Sequence, residues 1–118
     1  MNTQKIGIYV DSQNCRKFSA FHLSVLNLAQ ATGKIVIANV YYNSNCDNEV
    51  NLITKIDSNN FTFKDVPCLL KNSSDNQIIA DILKDKKNLD QVILITGDGD
   101  FQYIVETLKE SGKKVTII

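Results

Sequence analysis

A chain of 118 residues, 43% hydrophobic and 22% charged, has the length and composition of a single domain (1–118) with a real core, and not of a disordered or fibrous segment. Thirteen basic residues balance thirteen acidic ones, for a formal net charge of +0. This excludes a whole-molecule electrostatic footprint for nucleic acid, so any such contact has to be local.

Cys15, Cys46 and Cys68 are too few and too widely spaced for a disulfide framework or a zinc-ligand pattern. The N-terminal "MNTQKIGIYV" lacks the apolar stretch of a signal peptide. No apolar run approaches the ~18 residues of a membrane span. The expectation is a cytoplasmic protein with reduced thiols.

Short β-like runs alternate with longer helical ones. "KIGIYV" (5–10) reads as a strand that stops at Asp11. Phe18, Phe21, Val25, Leu28 and Ala29 then fall at helical spacing over 18–31, and Gly33 supplies a C-terminal stop. "KIVIANVYY" (34–42) is the second strand. A helix follows over about 46–57, with Val50, Ile53 and Ile56 on one face. "FTFKDV" (61–66) is a weaker strand, limited by Pro67. Residues 74–83 read as a helix, with Ser74 and Gln77 at capping-box spacing and Ile78, Ile79, Ile82 and Leu83 facing inward. "QVILIT" (91–96) is the clearest strand. Phe101, Ile104, Val105 and Leu108 form a last helical stripe closed by Gly112, and "KVTII" (114–118) ends the chain as a strand.

Such alternation predicts an α/β domain, a three-layer α/β/α sandwich around a mainly parallel five-stranded sheet. In a parallel sheet all β-to-α junctions open at one edge, where open α/β folds place their ligands. Asp11 follows the first strand, Asp98 and Asp100 follow the fourth, and Asp75 lies in the first turn of the third helix. A reversal of strand order beside the first strand would bring Asp11 close to Asp98 or Asp75. Each aspartate also has a local explanation: Asp100 as the N-cap of a helix starting at Phe101, Asp75 as a partner of its own helix terminus, and Gly97 and Gly99 as turn residues. Together they are harder to explain locally, because two like charges about 4 Å apart repel by roughly 4 kcal/mol at an effective dielectric of 20. Converging carboxylates call for a proton, a basic neighbour or a cation, and an all-oxygen donor set suits Mg²⁺ or Mn²⁺.

"YVDSQN" at the end of the first strand, "KNSSDNQIIAD" opening a helix and "LITGDGDF" after a strand, in this order, resemble the NYN domain family of the PIN-like metal-dependent nucleases. The resemblance covers the chain from about 6 to 118. It implies a PIN-like fold and Mg²⁺- or Mn²⁺-dependent endonucleolytic cleavage of RNA that leaves a 5′-phosphate and a 3′-hydroxyl. Carried over position by position, Asp11, Asp75, Asp98 and Asp100 would be the catalytic metal ligands, and Asn14 would contact a ligand water or a phosphate. Lys71 would reach a phosphate, with a solvated surface lysine as its plainer reading. Asp81 matches the family's second helical aspartate. It lies six residues from Asp75, about 9 Å along a helix and roughly 240° around it, which leaves a structural role equally open. Many PIN-like domains carry another acidic ligand on the helix after the second strand; Asp47 and Glu49 lie near that helix start, and whether either aligns with that ligand stays open. As in some small PIN-like nucleases, a homodimer or an inhibitor protein stands as a partner beside the RNA substrate.

Two other classes bear on the same residues. A non-catalytic or regulatory member would keep the acidic rim for a cation, a nucleic acid or a protein. A phosphatase of the haloacid-dehalogenase type needs a second aspartate two residues after its nucleophile, where this chain has Gln13 after Asp11. A dinucleotide site fails too, since "GDGDF" lacks the third glycine and follows the fourth strand. With His22 as the single histidine, a metal-free mechanism using two histidines is excluded. His22 itself reads as a surface or packed residue.

Overall fold

The most apolar runs of the chain form the middle of the sheet. In the computed structural model, which describes residues 3–67, 73–97 and 101–118, five strands lie parallel: β1 (Lys5–Asp11), β2 (Lys34–Tyr42), β3 (Thr62–Asp65), β4 (Gln91–Ile95) and β5 (Lys114–Ile117). Their order is β3-β2-β1-β4-β5. β1 and β4 are buried on both faces, while the edge strands β3 and β5 are half-exposed, as their weaker apolar patterns require.

The helices are α1 (Phe18–Thr32), α2 (Asp47–Ile53), α3 (Ser73–Asp85) and α4 (Gln102–Glu110), with a short 3-10 turn at Lys86–Asn88. α1 packs Phe18, Val25, Leu26 and Ala29 against Ile6, Ile8 and Val10 of β1 and Ile93 and Ile95 of β4. On the opposite face, α3 brings Ile78 and Ile82, and α4 brings Ile104, Val105 and Leu108, against Tyr9, Val92 and Leu94. The expected three-layer α/β/α sandwich is therefore present. None of its described helices is long and apolar enough to cross a membrane. Among the described residues Cys15 and Cys46 are free thiols.

Several expected details shift for identifiable reasons. The buried arc of α1 runs through Phe18, His22, Val25, Leu26 and Ala29. Leu28 sits about 60° outside that arc at 100° per residue and is 53% exposed. α2 stops at Ile53 rather than running to Asp57. Asp57 accepts from the Asn59 N–H (2.9 Å) and the Asn60 amide (2.6 Å), so its side chain favours a turn over another helical turn. α3 begins at Ser73, which puts Ser74 inside the first turn and not at its cap. Gln77 donates to Asp81 at 3.0 Å instead of reaching back, and Leu83 is exposed. α4 begins at Gln102 with Phe101 in the N-cap position, the place expected of Asp100. Gly112, at φ 79°, closes α4 in the left-handed conformation that glycine adopts without a steric penalty.

Asp81 lies on the inner face of α3 and ties that helix to the sheet. Its carboxylate accepts from the Tyr41 hydroxyl (2.6 Å), the Lys64 ammonium (3.1 Å) and the Gln77 amide (3.0 Å). Asn39 in turn donates to the Tyr41 oxygen at 3.1 Å. Burial works against the charged form of Asp81. The bonds from Tyr41, Lys64 and Gln77 outweigh it and hold the carboxyl below the usual aspartate range. Burial and the Asp81 bond together push the Tyr41 hydroxyl upward, which keeps it protonated as a donor.

The loop after β1 is locked to the end of β4. The Gly97 N–H donates to the Asn14 carbonyl at 3.0 Å, and a Cβ at Gly97 would stand 2.4 Å from that same oxygen. Close approach, not a special turn, explains this glycine.

Two outcomes follow. Asp81→Asn lowers stability at pH 7 by about 1–3 kcal/mol, the scale for a hydrogen-bonded charged group. Because the folded-state pKa is depressed, the wild-type advantage is complete above the ordinary aspartate pKa of about 3.9 and declines as pH falls through the lower folded value. Urea unfolding of both proteins from pH 7 downward checks this, and a gap independent of pH contradicts it. Gly97→Ala forces backbone to move and costs about 1–3 kcal/mol. A thermal melt superimposable on wild type would refute the close-contact account.

Candidate metal and active site

The strand order reverses at β1: β2 and β3 build outward on one side, and β4 and β5 on the other. That reversal opens a crevice at the carboxyl ends of β1 and β4. Val10 pairs with Ile95, so the two strands end level with each other.

Asp11 stands at this point. It lies two residues beyond Tyr9 and so projects to the face that α3 covers. It has no exposed surface. Its Oδ2 accepts from the Asn14 side-chain amide at 2.8 Å, while its buried Oδ1 has no hydrogen-bond partner among the described residues. The N-terminus of α3 delivers Asp75, 6% exposed, within hydrogen-bonding reach of the Asp11 carboxyl. Burial pushes the Asp11 carboxyl above its ordinary range, against the opposing pull of the Asn14 amide, Asp75 and the backbone N–H groups of Asn14 and Gln13.

The structure thus brings together Asp11, Asp75 and Asn14, which lie at separate points of the sequence. Lys71, Asp98 and Asp100 lie outside the described residues. Asp98 is the residue immediately after Gly97, whose N–H is held by the Asn14 carbonyl. Among the described residues no three histidine, cysteine, aspartate or glutamate side chains converge as a metal cage. The pair that does meet is all-oxygen and buried, and Asp11 Oδ1 has no partner among the described residues, donor chemistry that suits a hard divalent cation.

Asp81 does not join this pair. At 100° per residue, Asp75 and Asp81 occupy opposite flanks of the buried arc of α3. Asp75 meets Asp11, and Asp81 meets Tyr41 and Lys64. Asp47 is exposed on the first turn of α2. Glu49, two residues on, is buried at 3% exposure. Its Oε1 accepts from the Asn43 N–H at 3.1 Å. The Ser12 hydroxyl lies 2.7 Å from the Tyr41 carbonyl and 3.2 Å from that Glu49 oxygen, sharing one proton between them. Glu49 therefore braces the residue next to Asp11 without converging on Asp11 and Asp75. The sequence carried no local signal for this, because nothing about "DNEV" distinguishes a buried glutamate from a first-turn acid facing water.

His22 is a packed residue, as one of its two readings held. Its Nδ1 lies 2.8 Å from the Ser19 carbonyl, its Nε2 accepts from the Asp57 N–H at 3.3 Å, and its ring sits between Phe18 and Phe61.

Comparison with known proteins bears on the family and the fold. The family model of the NYN domain matches residues 5–118. A search of curated proteins finds no match. Among solved structures, the chain is similar to the crystal structure of a protein of unknown function from Vibrio parahaemolyticus, with 27% identity and a TM-score of 0.77, over 98% of this chain and 80% of that one. The chain belongs to the NYN domain family of the PIN-like superfamily, a membership that points to a nuclease-like function and to RNA.

Proposed function

We propose that the protein is a metal-dependent endoribonuclease that hydrolyses RNA phosphodiester bonds at the rim between β1 and β4. The observation that carries this reading is the pair of buried carboxyls, Asp11 and Asp75, delivered from separate elements to the topological switch point, with Asp11 Oδ1 unpartnered among the described residues. Asp11 and Asp75 would hold Mg²⁺ or Mn²⁺, with Asp98 and Asp100 as the further ligands that the family motif supplies. A bound divalent ion would supply a hydroxide-like nucleophile at neutral pH and stabilise the charge that develops at phosphorus and on the departing oxygen.

The chain's own residues set up that chemistry. Asn14 fixes the Asp11 carboxylate through Oδ2, which leaves Oδ1 available. The enclosing core keeps water from Asp11 and strengthens its electrostatics. The contact between Gly97 and Asn14 holds the end of β4 against the loop after β1.

Purified protein is expected to cleave single-stranded RNA with Mg²⁺ or Mn²⁺ and to stop on addition of EDTA. Asp11→Asn and Asp98→Asn are expected to lower the rate by roughly 100-fold or more, equivalent to about 2.7 kcal/mol of transition-state stabilisation. Metal binding without cleavage, on single-stranded and structured RNAs alike, would instead identify a non-catalytic member of the family.

A further inference from the structure

The loop that carries Asn14 also builds a cavity that the acidic site does not use. It measures about 510 Å³ and is lined by Gln13, Asn14, Cys15, Arg16, Lys17 and Phe21. Its floor is apolar, with the half-buried Phe21 set edge-on against Phe18 at 5.5 Å. Its rim is cationic, and Arg16 and Lys17 are both exposed. Arg16 is the only arginine in a chain with thirteen basic residues. Among the described residues neither Arg16 nor Lys17 forms an ion pair, whereas Lys64 pairs with Asp81.

The cavity adjoins the acidic pair through Asn14, which lines it and donates to Asp11 at 2.8 Å. A polyanion whose scissile phosphate lies at Asp11 therefore passes this rim within a few residues. We infer that this cavity is the subsite for the nucleotide next to the scissile phosphate of single-stranded RNA. Arg16 takes the neighbouring backbone phosphate, Lys17 adds a second cationic contact, and Phe21 offers an aromatic surface to the unstacked base. The inference rests on the nuclease reading for the position of the scissile phosphate, but not for its binding chemistry.

Three features support this occupant. A planar guanidinium forms a two-pronged contact with a phosphate that an ammonium does not. A chain of zero net charge needs a local cationic point to offset repulsion between RNA and its acidic rim. An apolar floor with an aromatic ring beside basic side chains is the combination that binds single strands with little sequence preference. A duplex keeps its bases stacked and leaves the Phe21 surface unused.

The test is fluorescence anisotropy of the full chain in EDTA with a fluorescein-labelled single-stranded RNA ten-mer, over a range of salt. Arg16→Gln is expected to weaken binding about fivefold or more and to reduce the salt slope by about 0.7, one single-strand phosphate contact. Phe21→Leu, which keeps an apolar side chain against Phe18, is expected to weaken it about fivefold. Lys34→Gln, at the far edge of the sheet, serves as the control for general charge. Equal weakening by Arg16→Gln and Lys34→Gln, or duplex RNA binding as tightly as single-stranded RNA, overturns the subsite.

Cleavage assays separate the two claims. If wild type cleaves RNA and Arg16→Gln matches it in both KM and affinity, the nuclease stands and the subsite falls. If wild type binds RNA through Arg16 and never cleaves, the subsite stands and the nuclease falls. With both correct, Arg16→Gln raises KM and leaves kcat within about threefold, the pattern of a contact made equally in ground and transition states.

Discussion

A carboxylate without exposed surface, at the end of the strand in the middle of the sheet, constrains everything around it. Burying a charge is costly unless it is paired, and Asp11 has Asn14 on one oxygen and, among the described residues, no partner on the other. Asp75 lies within hydrogen-bonding reach of it and works with Asn14 against the effect of burial. The fold tolerates this because the cost is confined to one point, where strand order reverses and a crevice opens. Among the described residues the other buried polar groups of the α3 layer are satisfied: Asp81 by Tyr41, Lys64 and Gln77, and the Tyr9 hydroxyl by Asp85 at 2.8 Å. The contrast between Asp81 and Asp11 is the physical basis for separating structure from function here. One aspartate has its hydrogen bonds completed by the protein, and the other keeps one oxygen without a partner among the described residues, beside a second carboxyl.

The layer order was legible in the sequence because the strands are short apolar runs and the helices carry stripes at helical spacing. β2 coincides with its apolar run from Lys34 to Tyr42, and Gly33 and Gly112 end α1 and α4 as their positions suggest. Errors fell where a side chain competed with the backbone. The Asp57 turn shortened α2, and Gln77 bonded to Asp81 rather than capping α3. Leu28 and Leu83 fit the helical spacing of their apolar neighbours, but the rotation of each helix is set by its whole buried arc, which leaves both exposed.

The site was legible in part. Asp11 and Asp75 meet as the junction argument requires, since parallel strands deliver all their β-to-α turns to one edge. The role of Glu49 was not legible. It depends on Ser12 and the Asn43 N–H, which only the folded chain brings to it. Asp81 shows the limit of motif matching: its place in a family pattern said less than its angular position on α3, which directs it at Tyr41.

On the proposed reading Asp11 costs the fold stability and would hold a cation, and one comparison tests this directly. Thermal melts of wild type and Asp11→Asn are measured in EDTA and then with Mn²⁺. Removing a buried, half-satisfied charge is predicted to raise the metal-free Tm, and the same change is predicted to abolish the rise in Tm that Mn²⁺ gives wild type through binding the folded state. An Asp11→Asn variant that melts lower than wild type in EDTA and still gains the full Mn²⁺ shift would contradict it.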